Sequence, residues 1–111
     1  MEVQDLPAIA EIAHAAGALV GCDNTWATAL LLKAHALGVD IVTEALTKYA
    51  GGHSDLLMGA MTFSDEGVAN EVRAYMGRMG IGVSPMMQHS LCVVWRRWHC
   101  GSITFLRERN G

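Results

Sequence analysis

One alternation restricts the fold of this chain more than any other feature. Short apolar runs at 18–23 ("ALVGCD"), 39–46 ("VDIVTEAL") and 55–63 ("DLLMGAMTF") are separated by segments with helical spacing. Such runs read as buried strands. Helices alternating with them predict an α/β fold built on parallel strands, which need cover on both faces. Asp5 is placed to cap a first helix with Pro7 in its opening turn. Ala8, Ile9, Ile12, Ala13 and Ala16 then fall at helical spacing, and Gly17 is placed to end it. "ATALLLKAHALG" (27–38) predicts a second helix stopped at Gly38. "SDEGVANEVRAYMGRMG" (64–80) predicts another, with a cap-like Ser64 before Asp65 and Glu66. Three strands with so few helices leave a sheet short of cover, so the chain reads as part of a larger domain.

Composition narrows the function classes. With 111 residues, 51% hydrophobic and 17% charged, the chain has the balance of a folded domain. A net charge of −3 argues against a nucleic-acid partner. No apolar run approaches the roughly 20 residues of a membrane span. "MEVQDLPAI" lacks a charged-then-apolar leader pattern, so the expected location is cytoplasmic. Cys22, Cys92 and Cys100 form no even disulfide framework, which suits a reducing compartment.

Two residues stand where chemistry is expected. Asp23 ends the first predicted strand, and open α/β sheets bind ligands at that rim. Lys48, in "TKYAGGHSD" (47–55), follows the second strand at the corresponding end. A lysine and a carboxylate can flank pyridoxal phosphate, the lysine as Schiff-base partner and the carboxylate holding a proton on the pyridine nitrogen. The plainer alternative makes Asp23 a helix cap and Lys48 a solvated loop residue. Gly51 and Gly52 permit positive φ and close backbone approach. His53 and Ser54 are expected to order the loop by hydrogen bonds. "GRMGIG" (77–82) has its glycines in the wrong order for a dinucleotide fingerprint. His89, Cys92, His99 and Cys100 match no zinc spacing, so no metal site is expected. "WRRWHC" is too short a basic-aromatic cluster to mark a nucleic-acid surface.

Longer stretches carry a resemblance. "DNTWAT" (23–28), "GVDI" (38–41) and "TKYAGGHSD", with the lead-in "MEVQDLPAIAEIAHAAGALV", resemble the Cys/Met-metabolism family of pyridoxal-phosphate enzymes over residues 1–85. The Trp after "DNT" is most similar to the cystathionine β-lyase branch. The resemblance implies an incomplete part of the large cofactor-binding domain of an aspartate-aminotransferase-like, fold type I enzyme. It makes Lys48 the Schiff-base lysine and catalytic base, Asp23 the partner of the pyridine nitrogen, and Thr47 a phosphate contact. The implied reaction is β-elimination from a sulfur amino acid such as cystathionine, in methionine biosynthesis, by an enzyme that forms homotetramers or dimers. Ala45 stands where many members have a phosphate-binding serine. The alternative is a non-catalytic, truncated remnant of a related γ-lyase or γ-synthase.

The resemblance also marks what is missing. The family's phosphate-binding glycine turn, ring-stacking tyrosine and substrate-binding arginine have no counterpart, and Met1 resembles an internal family methionine. After "GVSP", at Pro85, the chain looks foreign: 86–105 shows no amphipathic period, which a helix or strand would carry. A reading-frame slip accounts for this. Back-translated and read one nucleotide earlier, with one G lost after the Pro85 codon, the segment permits "DDAALALRGLATLALRLDHF", followed in frame by "LRERNG" at 106–111. On that reading 1–85 is the family fragment, 86–105 the shifted segment and 106–111 the restored tail.

Overall fold

The computed structural model describes residues 3–98. Helix α1 (Leu6–Ala15) starts where Asp5 accepts a hydrogen bond from the Ala8 amide, at 3.2 Å. Pro7 sits in its first turn and Gly17 follows its end at φ +73°. Strand β1 (Gly21–Asp23) is shorter than the apolar run that predicts it. The predicted helix over 27–38 is broken. It consists of α2 (Thr28–Leu31), an extended Leu32, and a 3₁₀ turn (Ala34–Leu37) closed by Gly38 at φ +91°. The break has a local cause. Buried Asn24 donates from Nδ2 to the Leu32 carbonyl at 3.0 Å, which takes that carbonyl out of a helical ladder. Strand β2 (Ile41–Ala45) follows, then β3 (Gly59–Phe63), α3 (Glu66–Arg78) and α4 (Pro85–Trp98).

The sheet order is β1-β2-β3. β1 and β2 are parallel, with Asp23 opposite Thr43. β2 and β3 are antiparallel, with Ala45 opposite Gly59, which corrects the expectation of an all-parallel sheet. The reason lies in 46–58. A parallel return needs a crossover, usually a helix. This stretch has no helical spacing and is spent on the Lys48 turn, so the chain reverses at the same rim.

One face of the sheet is well packed. Ala10, Val20, Ala34, Val39 and Val42 form its core, with Leu6, Ala13, Cys22 and Leu32 against them. Helix α3 lies along β3. Its cap is Asp65, which accepts from the Val68 amide at 2.9 Å, rather than the expected Ser64. Ser64 instead donates its amide to the Asp40 carbonyl at 2.9 Å.

Residues 85–98 also depart from expectation, because they are helical. Ser84 caps α4 by accepting from the Met87 amide at 3.3 Å, and Pro85 fills its first position. Met87, Ser90, Leu91 and Val94 are its more buried residues, a stripe at helical spacing. Cys92 and Val93 on the exposed side blur the polar contrast that would reveal it. His99, Cys100 and the predicted tail at 106–111 lie outside the described residues.

Candidate active site

The parallel pairing of β1 and β2 brings the residues after both strands to one rim. Lys48 sits in a tight turn there. Its amide donates to the Ala45 carbonyl at 3.0 Å, Gly51 N–H donates to Leu46 at 2.6 Å, and Gly52 N–H donates to Lys48 at 2.8 Å. Gly51 is buried, and a Cβ on it would lie 2.9 Å from the Leu46 carbonyl oxygen, so only glycine fits. Gly52 has φ +69°. His53 Nδ1 donates to the Gly51 carbonyl at 3.1 Å, the loop-ordering role expected of it. Ser54 adopts φ +60°. The Lys48 side chain is exposed and shares an open depression with Thr25, Trp26, Tyr49 and Gly52.

Thr47 closes the base of this turn. Its hydroxyl donates to the Met58 carbonyl at 3.3 Å and accepts from the Met58 amide at 3.0 Å. Its own amide also donates to Met58, at 3.2 Å. Thr47 thus extends the β2–β3 pairing past Ala45, and its one hydroxyl proton is engaged.

Asp23 is the last residue of β1. Its Oδ1 accepts from the Thr25 hydroxyl at 2.6 Å and from the Thr25 amide at 2.9 Å. These bonds, the hydroxyl's first, hold the Asp23 carboxyl below the ordinary carboxylate range, so it stays ionised at neutral pH. Asp23 caps no helix: the residue before α2 is Ala27, and Glu44 of β2 accepts from the Ala29 amide at 2.9 Å instead. Thr28, the first residue of α2, has φ +58°, costly for a β-branched residue and of the kind found at functional sites.

The two sequence-predicted residues do not share one hollow. Asp23 lines a second depression, between the sheet and α3, with Thr43, Ala60, Val72 and Arg73. Thr25 joins the two, since it lines the Lys48 depression and is bonded to Asp23. Its hydroxyl also accepts from the Ala45 amide, at 2.9 Å. Sequence reasoning missed Thr25 and Glu44. An Asp-x-Thr triplet after a strand signals an Asx turn, and that was the available clue to Thr25.

The donor set fits pyridoxal phosphate in part. An exposed amine and an ionised carboxylate stand on one rim, and Trp26 and Tyr49 line the same depression as the amine. Phosphate donors are the weaker component, because the Thr47 proton is engaged and Ala45 has no hydroxyl.

Known structures share this fold and define its class. The chain superposes on cystathionine γ-lyase from Lactobacillus plantarum with a TM-score of 0.81 at 28% identity, covering 89% of this chain and 26% of that one. It superposes on cystathionine γ-synthase from Xanthomonas oryzae with a TM-score of 0.81 at 29% identity, with the same coverage. The fold is therefore part of a fold type I, pyridoxal-phosphate-dependent lyase or synthase domain.

The model of the Cys/Met metabolism PLP-dependent enzyme family matches residues 1–93, and the chain belongs to that family. The match runs past Pro85 into α4. Cystathionine β-lyase of Lactococcus lactis is 40% identical over 85 residues, 77% of this chain and 22% of that protein. Chloroplastic cystathionine β-lyase of Arabidopsis thaliana is 38% identical over 84 residues, 76% of this chain and 18% of that protein. The chain spans about a fifth of the length of the curated relatives it matches.

Proposed function

We propose that this chain is the lysine- and carboxylate-bearing segment of a cystathionine β-lyase-like carbon–sulfur lyase. The observation that carries the reading is the shared rim. An ionised Asp23 and the Lys48 turn stand at the paired ends of β1 and β2, tied through Thr25 and Ala45. Trp26, the residue that sequence resemblance assigns to the β-lyase branch, lines the same depression as Lys48.

Lys48 and Asp23 would hold pyridoxal phosphate, which supplies, when bound, an electron sink for a carbanion at the substrate Cα. The Asp23 carboxylate holds a proton at the pyridine nitrogen. The Lys48 amine takes the proton from Cα as general base. The electron pair left at Cα expels the sulfur substituent at Cβ as a thiolate, and hydrolysis of the remaining fragment gives pyruvate and ammonia. Thr47 would donate to the phosphate by exchanging its 3.3 Å bond to the Met58 carbonyl.

Turnover by these residues alone is not expected. Lys48 faces an open depression, and a developing carbanion needs a preorganised, water-excluding site. Purified chain titrated with pyridoxal phosphate should show a weak visible absorbance band. Lys48→Ala should lose it and Lys33→Ala should keep it, with no pyruvate formed from cystathionine. A band that survives Lys48→Ala would remove Lys48 from the mechanism. Pyruvate release would refute the expected inactivity.

A further inference from the structure

We infer that Thr25 is a positioning residue that couples the charge of Asp23 to the strand end leading into the Lys48 turn. The β1–β2 pairing ends at Asp23 and Thr43, where the Asn24 amide donates to the Thr43 carbonyl at 2.8 Å. The next β2 amide in need of an acceptor on that side is Ala45, and β1 offers no further strand carbonyl. The Thr25 hydroxyl takes that place, accepting from Ala45 at 2.9 Å. A hydroxyl has one proton, and here it goes to Asp23 Oδ1 at 2.6 Å, a length typical of a charge-assisted bond. The direction of the chain is therefore defined: Ala45 N–H to Thr25 oxygen, Thr25 O–H to the carboxylate. Bonds in such a chain polarise one another. Ala45 in turn receives the Lys48 amide on its carbonyl at 3.0 Å, so the residue that answers to Asp23 also anchors the lysine turn.

Among the described residues, no other charged side chain is hydrogen-bonded or ion-paired to Asp23. Glu44 of β2 and Arg73 of α3 line the same depression. Glu44 accepts from the Ala29 amide, and Arg73 donates to Asn70 Oδ1 at 2.6 Å. Thr25 therefore provides the hydrogen-bonded route from Asp23 to β2 beyond the strand ladder itself.

The inference deepens the reading of Asp23 as the carboxylate facing the pyridine nitrogen, but its test needs only the folded chain. The Asp23 side-chain carboxyl and the Ala45 amide are followed by NMR through an acid titration. The titration is run in wild type and in Glu44→Gln, which keeps the acceptor for Ala29 and removes the titration of the neighbouring residue. The Ala45 amide shift should move with the Asp23 midpoint in both. Thr25→Val should raise that midpoint, uncouple Ala45 from it and speed Ala45 amide exchange about tenfold or more. Thr25→Ser should restore all three. Should Thr25→Val lose the Val42 amide protection that reports the sheet, the comparison of wild type, Glu44→Gln and Thr25→Ser decides alone. An Ala45 amide that stays flat through the Asp23 midpoint in Glu44→Gln would overturn the inference. So would an unchanged midpoint in a folded Thr25→Val. Failure of Lys48 to take up cofactor would leave these observables untouched and count against the function alone.

Discussion

Single residues set the geometry of this molecule where backbone comes close to backbone. Gly38 is the sharpest case. It ends the 3₁₀ turn at φ +91°, and a Cβ there would fall 2.8 Å from the Ala10 Cβ in the core. Gly38→Ala should cost about 1–2 kcal/mol for the left-handed backbone alone, before the overlap with Ala10 is counted. Urea unfolding of the two proteins measures it, and an unchanged midpoint would refute the close approach. Glycine's role at 38 was legible in the sequence as a helix stop, but its contact with Ala10 was not, because that contact joins positions far apart in the chain. The same division holds at the rim. Asp23 and Lys48 could be picked out by strand position and motif. The engagement of Thr47 with Met58 depends on the register of the antiparallel β3, and the missing crossover helix in 46–58 rules out a parallel return without fixing which residues pair.

Elements are held together at the opposite rim by one side chain that the sequence reading passed over. Asp40 precedes β2. Its Oδ2 accepts from the Val20 amide at 2.8 Å and meets His14 Nε2 of α1 at 2.8 Å, while Oδ1 lies 3.5 Å from the Ser64 hydroxyl. The Val20 amide first, then His14, hold its carboxyl below the ordinary range. A group whose folded pKa is depressed stabilises the fold above its unfolded pKa and loses that contribution as pH falls through the folded value. Stability should therefore decline from the ordinary carboxylate range downward, and Asp40→Asn should flatten that decline. Urea midpoints measured across acid pH check this, and parallel curves for the two proteins would contradict it. Helix α4 teaches a different lesson. Its stripe of Met87, Ser90, Leu91 and Val94 escaped a reading based on apolar contrast, because cysteine and valine occupy the outer face as well. A frame slip after Pro85 remains our proposal for the origin of 86–105. The nucleotide sequence of the locus tests it: the neighbouring frame should read "DDAALALRGLATLALRLDHF", and any other string would end the proposal.

At the scale of the whole fold, the described residues form an α/β layer with one packed face and an open rim that carries Lys48. Trp26, Leu31 and Leu57 are 80%, 84% and 76% exposed, far beyond what a core residue tolerates. The general architecture was readable from alternating runs, since each element carries its own period. The register of the reversed β3 and the broken second helix were not, because both depend on tertiary bonds, at Met58 and at Asn24. The central claim is that this rim presents Lys48, and not simply any lysine, to a carbonyl cofactor. The chain has two lysines, and Lys33 serves as an internal control on the same molecule. The direct measurement is borohydride trapping after incubation with pyridoxal phosphate, followed by peptide mapping. Lys48 should carry the reduced cofactor several-fold more often than Lys33, and Asp23→Ala should narrow that ratio. Equal labelling of the two lysines would contradict the account.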